Sequence, residues 1–362
     1  MPTSPLYDST RAALRQRLPA SLDSQLDTLG LLIVAAVQSM SSQVAKIARA
    51  MPLETTQRSK QQRLRRFLDN ERITQTDHYQ PIIKQALHGL KGQRVQLLID
   101  RVLLRDRHNI LVVSVGFRRR SIPLCWKALA HRGSSNLEER KELLQAAVKL
   151  LPTGVRISVH GDSEFRTTAL FAWLRSQGYD VMLGVVGHSL VYTTDDPAAD
   201  GQLLAERLGT ARGVVYLSAV YLTEARYGPL NVLAWWEHDA EGKRVLRGAM
   251  TNLAATPRTK ALGKRRMWIE TVFRDWQSGG FHLDQCGMED RARVARLLIV
   301  LAIGYLWLVS LGRWVVKKGY RKLIDDGSRR NWHFSLFQLG VGWMERLHSF
   351  TLPLPLILYL YT

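Results

Sequence analysis

Cysteine is nearly absent from this 362-residue chain. Only Cys125 and Cys286 occur, far apart, with no Cys-x2-Cys pair and no Cys/His group at zinc-ligand spacing. A disulfide framework and a structural zinc are therefore excluded, and the usage fits a reducing cytoplasm. A Gly-rich phosphate loop, a Gly-x-Ser-x-Gly elbow and a matched Cys/His pair are missing too, so phosphate-loop and covalent Ser or Cys chemistry have no support. Acids are scarce: 31 Asp and Glu stand against 51 Lys and Arg, a formal charge of +20. That excess implies a polyanionic partner, nucleic acid before an anionic membrane surface. The cations are spread along the chain, which makes the folded body the binding surface and favours nucleic acid. Long apolar runs are limited to residues 297–311, flanked by Arg296 and Arg313 and containing Gly304 and Ser310. A span needs about 20 predominantly apolar residues, so a buried helix and no membrane partner are expected. The start, Met1-Pro2-Thr3-Ser4-Pro5-Leu6, lacks a basic segment followed by an apolar stretch, and no signal peptide is expected.

What is present divides into four regions. Residues 1–90 read as helical. Leu22, Leu26, Leu29, Ile33 and Val37 recur at helical spacing; a short helix around Val44 to Ala48 follows, and Met51-Pro52-Leu53 breaks it. A second helix from about Thr56 to Asp69 buries Leu64, Phe67 and Leu68 and exposes Arg58, Lys60, Arg63, Arg65 and Arg66. Helix, break and basic helix outline a helix-turn-helix or a helical bundle with a basic surface. From Arg94 the period changes to that of strands, with Asp100 inside the first and further strands at 110–115 and about 121–126. A helix capped by Asn136, a strand at 155–160 running into Gly161-Asp162-Ser163, a helix at 167–177 and a strand at 181–186 complete the series. Three antiparallel strands, helix, strand, helix, strand is the order of an RNase H-like fold, which would bring Asp100 and Asp162 together. Residues 187–257 read as a β-rich insertion with strands at 214–217, 220–222 and 232–236 and turns at Tyr227-Gly228-Pro229 and Asp239 to Gly242. The expected class is α/β: a helical DNA-binding region (1–90), an RNase H-like core (91–186 and 258–330) with the insertion (187–257), and a C-terminal helix and tail (331–362).

One predicted helix, Lys264 to Gln277, organises the chemistry. Arg266, Glu270 and Arg274 share one face, and Ile269, Phe273 and Trp276 form an apolar stripe beside it. Such a carboxylate between arginines is ordinarily a solvated surface pair. Two aspartates on separate strands change its meaning. A carboxylate inside a strand, such as Asp100, is costly unless paired, with Arg101 or Arg118 as the bland partner and a cation as the functional one. Two divalent ions about 3.5–4 Å apart cut phosphodiesters without a covalent intermediate, and Mg²⁺ takes oxygen ligands. Asp100 would bridge the metals, Asp162 bind one and Glu270 the other, with Arg266 and Arg274 orienting Glu270 or gripping phosphates. His160 is read as a strand end rather than a metal ligand.

These residues resemble the bacterial DDE transposases of the insertion-sequence-four type over most of the chain. Gln62 to Leu68 with Asp69-Asn70 is similar to the end of their N-terminal region. Leu97-Leu98-Ile99-Asp100 resembles the first catalytic aspartate region, Val159 to Phe165 the second, and Arg266 to Arg274 the glutamate region. The resemblance implies catalytic and metal-binding roles for Asp100, Asp162 and Glu270. It implies two Mg²⁺ ions per site (Mn²⁺ as substitute), and double-stranded DNA partners that are terminal inverted repeats and target DNA. It further implies cut-and-paste transposition with a hairpin at the excised ends, a homodimer in a synaptic complex, and a nucleoid-associated place in a bacterial cytoplasm. DNA contacts are expected from Arg58, Lys60, Arg63, Arg65, Arg66, Arg118, Arg119, Arg266, Arg274 and Gln277, and base stacking from Trp235 and Trp236. The family signature Tyr-x2-Arg-x3-Glu-x6-Lys is matched at Arg266 and Glu270. Gly263 stands at its tyrosine and Gln277 at its lysine, positions of DNA-end contact on which the hairpin step depends. The alternatives are an RNase H-like nuclease without strand transfer and a decayed or domesticated DNA-binding protein.

Overall fold

The computed structural model describes residues 4–209, 213–239, 241–328, 331–349 and 358–360. Six helices come first: α1 (Pro5–Arg17), α2 (Asp23–Ser39), α3 (Val44–Ala50), α4 (Gln57–Asp69), α5 (Gln75–His78) and α6 (Gln80–Ala86). The apolar series of α2 is buried as its spacing requires. Met40 closes the helix in the left-handed region, and the chain turns by 102° into α3. In α4 the Thr56 hydroxyl accepts the Ser59 backbone N–H at 3.2 Å, an N-cap that starts the helix where its sequence predicts.

The sheet then begins with β1 (Arg94–Leu104), β2 (His108–Phe117) and β3 (Arg120–Ala128), an antiparallel meander. After α7 (Leu137–Val148), capped by a reciprocal Asn136/Glu139 box, β4 (Arg156–Gly161) pairs parallel with β1. After α8 (Thr168–Ser176), β5 (Asp180–Gly184) pairs parallel with β4. The resulting order β3-β2-β1-β4-β5 is compatible with an RNase H-like DDE domain. The following strands are β6 (Leu190–Tyr192), β7 (Gln202–Leu203), then, beyond α9 (Leu204–Gly209), β8 (Val214–Leu222), β9 (Tyr227–His238) and β10 (Arg244–Thr251). They extend the same sheet, because β10 pairs with β5 and the order continues β10-β9-β8-β6-β7.

Two expectations in this stretch change. Tyr227-Gly228-Pro229 is not a turn: the reversal lies at 223–226, where Thr223 and Arg226 have positive φ, and residues 227–229 open β9. Pro229 is tolerated because it sits at a register irregularity, where the ladder does not need its missing N–H. Gly228 is required there, since a Cβ would lie 2.7 Å from the Val220 carbonyl oxygen. The stretches 214–217 and 220–222 are one strand with an interruption at Ala219 (φ 53).

The last elements are α10 (Pro257–Gly263), α11 (Trp268–Trp276), α12 (Arg291–Lys317) and α13 (Leu336–Ser349). Residues Lys264–Met267, expected at the start of the organising helix, form a 3-10 turn between α10 and α11. Ile269, Val272, Phe273 and Trp276 of α11 are buried against β1, β2 and β3. Helix α12 is long and apolar enough to cross a membrane, but 89% of its apolar window is buried inside the protein, against β3, α2 and α13. Most of the expected apolar tail, residues 350–357, lies outside the described residues.

Candidate active site

Parallel pairing of β1 with β4 places Ile99 beside Gly161. Asp100 and Asp162 are the next residue on each chain, one within β1 and the other just past the end of β4. Gly161 keeps this approach close, because a Cβ there would meet Phe165 Cβ at 2.9 Å and Ile99 Cγ2 at 3.2 Å. From the other side, α11 and the turn before it bring Arg266 between Asp100 and Glu270. Its Nη1 lies 3.8 Å from Asp100 Oδ2, and its Nη2 lies 3.7 Å from Glu270 Oε1. Asp100 is 15% exposed and Glu270 49%. The Asp100 carboxyl is pushed up to about 7, by burial first and then by the charge of Asp162. Glu270 adds to this, while the Arg101 backbone N–H and Arg266 work against it. Asp162 and Glu270 therefore both act electrostatically on Asp100.

Each aspartate is also held by its own backbone. Asp100 Oδ1 accepts the Arg101 N–H at 2.7 Å, and Asp162 Oδ1 accepts the Glu164 N–H at 2.8 Å. Neighbouring His160 is wholly buried, with Nε2 3.1 Å from Ser158 Oγ, and burial pulls its pKa down to about 3. It is a neutral core residue.

Among the described residues, no three His, Cys, Asp or Glu side chains are gathered closely enough to hold a metal ion as they stand. The donor chemistry nonetheless fits a hard dication. The donors are all carboxylate oxygens, and the burial and crowding of like charge that raise Asp100 are what a cation would relieve. Arg266 supplies part of that positive charge.

Other expected site residues are distributed differently. Arg274 is 59% exposed and lies 3.9 Å from Asp275 Oδ1, so its nearest ionic partner is Asp275. Gln277 ends α11: its N–H donates to the Phe273 carbonyl, and its own carbonyl accepts from Gly280 and His282. Arg118 and Arg119 form the exposed β2–β3 turn with positive φ. Val112 is the β2 residue opposite Asp100, so the turn at Arg118 lies six residue steps along the strand, about 20 Å, from that aspartate. Trp235 and Trp236 point to opposite faces of β9. Trp235 is buried with Met182, Leu233 and Ala249. Trp236 is covered by Arg244, whose guanidinium lies 4.5 Å from its ring centre. Only Trp235 reaches the acids' neighbourhood, where it lines a cavity of about 210 Å³ with Asp162, Met182, Arg247, Gly263 and Arg266. Gly263 leaves this space open: a Cβ there would already be 2.9 Å from Met182 Cε.

The cations of α4 surround the helix. Arg58, Arg63 and Arg66 line a groove of about 1110 Å³ with Ser24, Thr28 and Gln62. Arg65 borders a separate depression with Glu289 and Arg293, and Lys60 Nζ donates to the Met51 carbonyl at 2.9 Å.

Two ion pairs of consequence were not apparent from sequence. Arg101 forms a forked pair with Glu164, and Asp275 pairs with Arg120 in the interior. The only sequence signal for the first pair was adjacency: Arg101 follows Asp100, and Glu164 follows Asp162 by two.

None of the curated proteins compared with the chain matches it. Residues 128–307, which include Asp162, Glu270 and Arg266 but begin after Asp100, match the model of the transposase DDE domain, and this match supports a DDE transposase.

Proposed function

We propose that the chain is a DNA transposase that binds the terminal inverted repeats of an element, cleaves its ends and joins the freed 3′-OH to target DNA. One observation carries this reading: adjacent parallel strands present Asp100 and Asp162 to the helix bearing Glu270, with Arg266 within 3.8 Å of both Asp100 and Glu270. Asp100, Asp162 and Glu270 would hold Mg²⁺ or Mn²⁺, two ions per site. Bound there, the metal supplies activation of the attacking oxygen and charge neutralisation at the phosphate.

The chain's own residues do the rest. Arg266 holds Glu270 toward Asp100, and when DNA enters it is the nearest cation to the scissile phosphate. The groove cations Arg58, Arg63 and Arg66 grip backbone phosphates, which fixes position rather than reading sequence. Trp235 offers an apolar wall beside Asp162 for an unpaired base. Two chains would act together, one on each element end, in the bacterial nucleoid.

The test is nicking of a labelled duplex carrying the element's own end, with Mg²⁺ or Mn²⁺, by wild type, Asp162→Asn and Glu270→Gln. Metal-dependent nicking at the element boundary, lost in both variants by about 10³-fold or more, is the expected result. A hairpin product would extend the family mechanism past Gly263 and Gln277. A second reading, a DNA-binding protein without catalysis, is favoured by those two departures from the family signature. Tight, salt-sensitive binding with no cleavage under either metal would establish it and overturn the first.

A further inference from the structure

We propose that Arg101 and Glu164 are positioning residues that set the spacing of Asp100 and Asp162, and so the divalent-metal affinity of the site. The inference rests on the reading of those aspartates as metal ligands. Arg101 immediately follows Asp100 on β1, and Glu164 lies two residues past Asp162 in the turn after β4. Across the two strands the side chains meet as a fork. Arg101 Nε is 3.0 Å from Glu164 Oε1 and 3.2 Å from Oε2, and Nη2 is 2.7 Å from Oε2. Each side chain is 19% exposed, enough shielding for a planar two-bond pair to fix a geometry as well as attract.

The fork is braced from behind. Arg101 Nη1 donates to Asn109 Oδ1 at 3.0 Å. The Asn109 amide in turn donates to the carbonyls of His131 and Gly133 at 3.0 and 2.8 Å. The β1–β4 ladder stops at Ile99 and Gly161, so no strand pairing ties Asp162 to Asp100. The cross-strand connection beyond that point is this fork, and the backbone hydrogen bonds at its two ends carry its position to the carboxylates. Arg101 N–H donates to Asp100 Oδ1, and Glu164 N–H donates to Asp162 Oδ1. A pair that served only to neutralise charge would need neither the fork nor the brace.

The sign of the effect separates positioning from simple electrostatics. Removing the Arg101 charge would by itself strengthen cation binding, and removing the Glu164 charge would weaken it. Loss of positioning weakens binding in both cases. The experiment is Mn²⁺ titration of the full-length protein followed by electron paramagnetic resonance, with thermal melting and end-DNA affinity measured alongside. The variants are Arg101→Ala, Arg101→Lys, Glu164→Gln and the swap Arg101→Glu/Glu164→Arg, with Asp162→Asn as control. Outer-shell partners of metal ligands are worth roughly 10–100-fold in affinity. Arg101→Ala, Arg101→Lys and Glu164→Gln should each weaken Mn²⁺ binding by at least about 10-fold, with unchanged melting and DNA affinity, and the swap should recover part of the loss. Tighter binding in Arg101→Ala, unchanged binding in Arg101→Lys and Glu164→Gln, or losses that track a fall in melting temperature would each overturn the proposal. The control keeps the two readings apart. If Asp162→Asn weakens Mn²⁺ binding while the clamp variants do not, only the clamp falls. If Asp162→Asn has no effect, the metal-site reading fails and takes the clamp with it.

Discussion

Asp100 concentrates the conflict that makes this site chemical. Its pKa of about 7, against an ordinary 3.8, comes from burial and from Asp162, and the Arg266 guanidinium is 3.8 Å away. The folded chain therefore keeps a proton that the unfolded chain gives up between pH 3.8 and about 7. Over that window Asp100 makes the native state hold a proton that the unfolded state lacks, so this group's contribution to stability falls as pH rises and levels off above about 7. Replacing the carboxyl by an uncharged amide removes that penalty. Asp100→Asn should raise the stability of metal-free protein at pH 8 by a few kcal/mol, and the gain should shrink towards zero as the pH approaches 4. Urea denaturation at the two pH values checks this; an equal gain at both would place the effect in packing instead of charge. Saturating Mg²⁺ should stabilise wild type at pH 8 and leave Asp100→Asn nearly unmoved, because the variant lacks the ligand.

At the scale of elements, α11 matters because it must bring Glu270 to the sheet in one orientation. Its apolar stripe fixes which face docks, and a buried ion pair fixes the rest. Asp275 on α11 meets Arg120 at the start of β3, with the side chains 3% and 4% exposed. Arg120 Nε also lies 3.5 Å from the Tyr305 hydroxyl, which donates to the Ser121 carbonyl from α12. Asp275→Ala leaves Arg120 buried and uncompensated and should cost roughly 3–5 kcal/mol by chemical denaturation. The double variant Arg120→Met/Asp275→Leu should recover most of it, since apolar replacement of a buried pair is often neutral. If the double variant is as unstable as the single one, hydrogen bonding within the cluster outweighs the charge argument. The same helix shows what sequence could and could not reveal. Helical spacing located Ile269, Phe273 and Trp276, and strand period located β1 to β5, because burial on one face imposes a local pattern. The 3-10 turn at Lys264–Met267 was hidden by a sequence compatible with either helix. β10 was missed because Arg244, Arg247 and Gly248 dilute its apolar residues. Arg120–Asp275 and Arg101–Glu164 join residues 155 and 63 positions apart. Strand register and helix docking make such contacts, and neither leaves a periodic trace.

For the whole molecule the surplus of 20 positive charges includes, among the described residues, cations on two separate surfaces. The β2–β3 turn carries Arg118 and Arg119 a strand's length from Asp100, while the groove between α2 and α4 gathers Arg58, Arg63 and Arg66. Of the five α4 cations, Lys60 is engaged with the Met51 carbonyl and Arg65 faces a depression that also holds Glu289 and Asp290. The groove trio should thus dominate DNA binding by this helix. Each phosphate neutralised releases counterions, and log K falls against log salt with a slope of about −0.9 per contact on B-DNA. Arg58→Ala/Arg63→Ala/Arg66→Ala should therefore lower the magnitude of the slope by roughly 2–3. Lys60→Ala with Arg65→Ala should change it by about 1 or less. Fluorescence anisotropy of a labelled duplex from 50 to 300 mM salt, about a sixfold range, resolves the difference. A larger effect from the Lys60 and Arg65 pair would move the DNA to the other side of α4. An equal weakening by both sets would mean that the +20 acts as a diffuse field and that the groove contributes shape without charge.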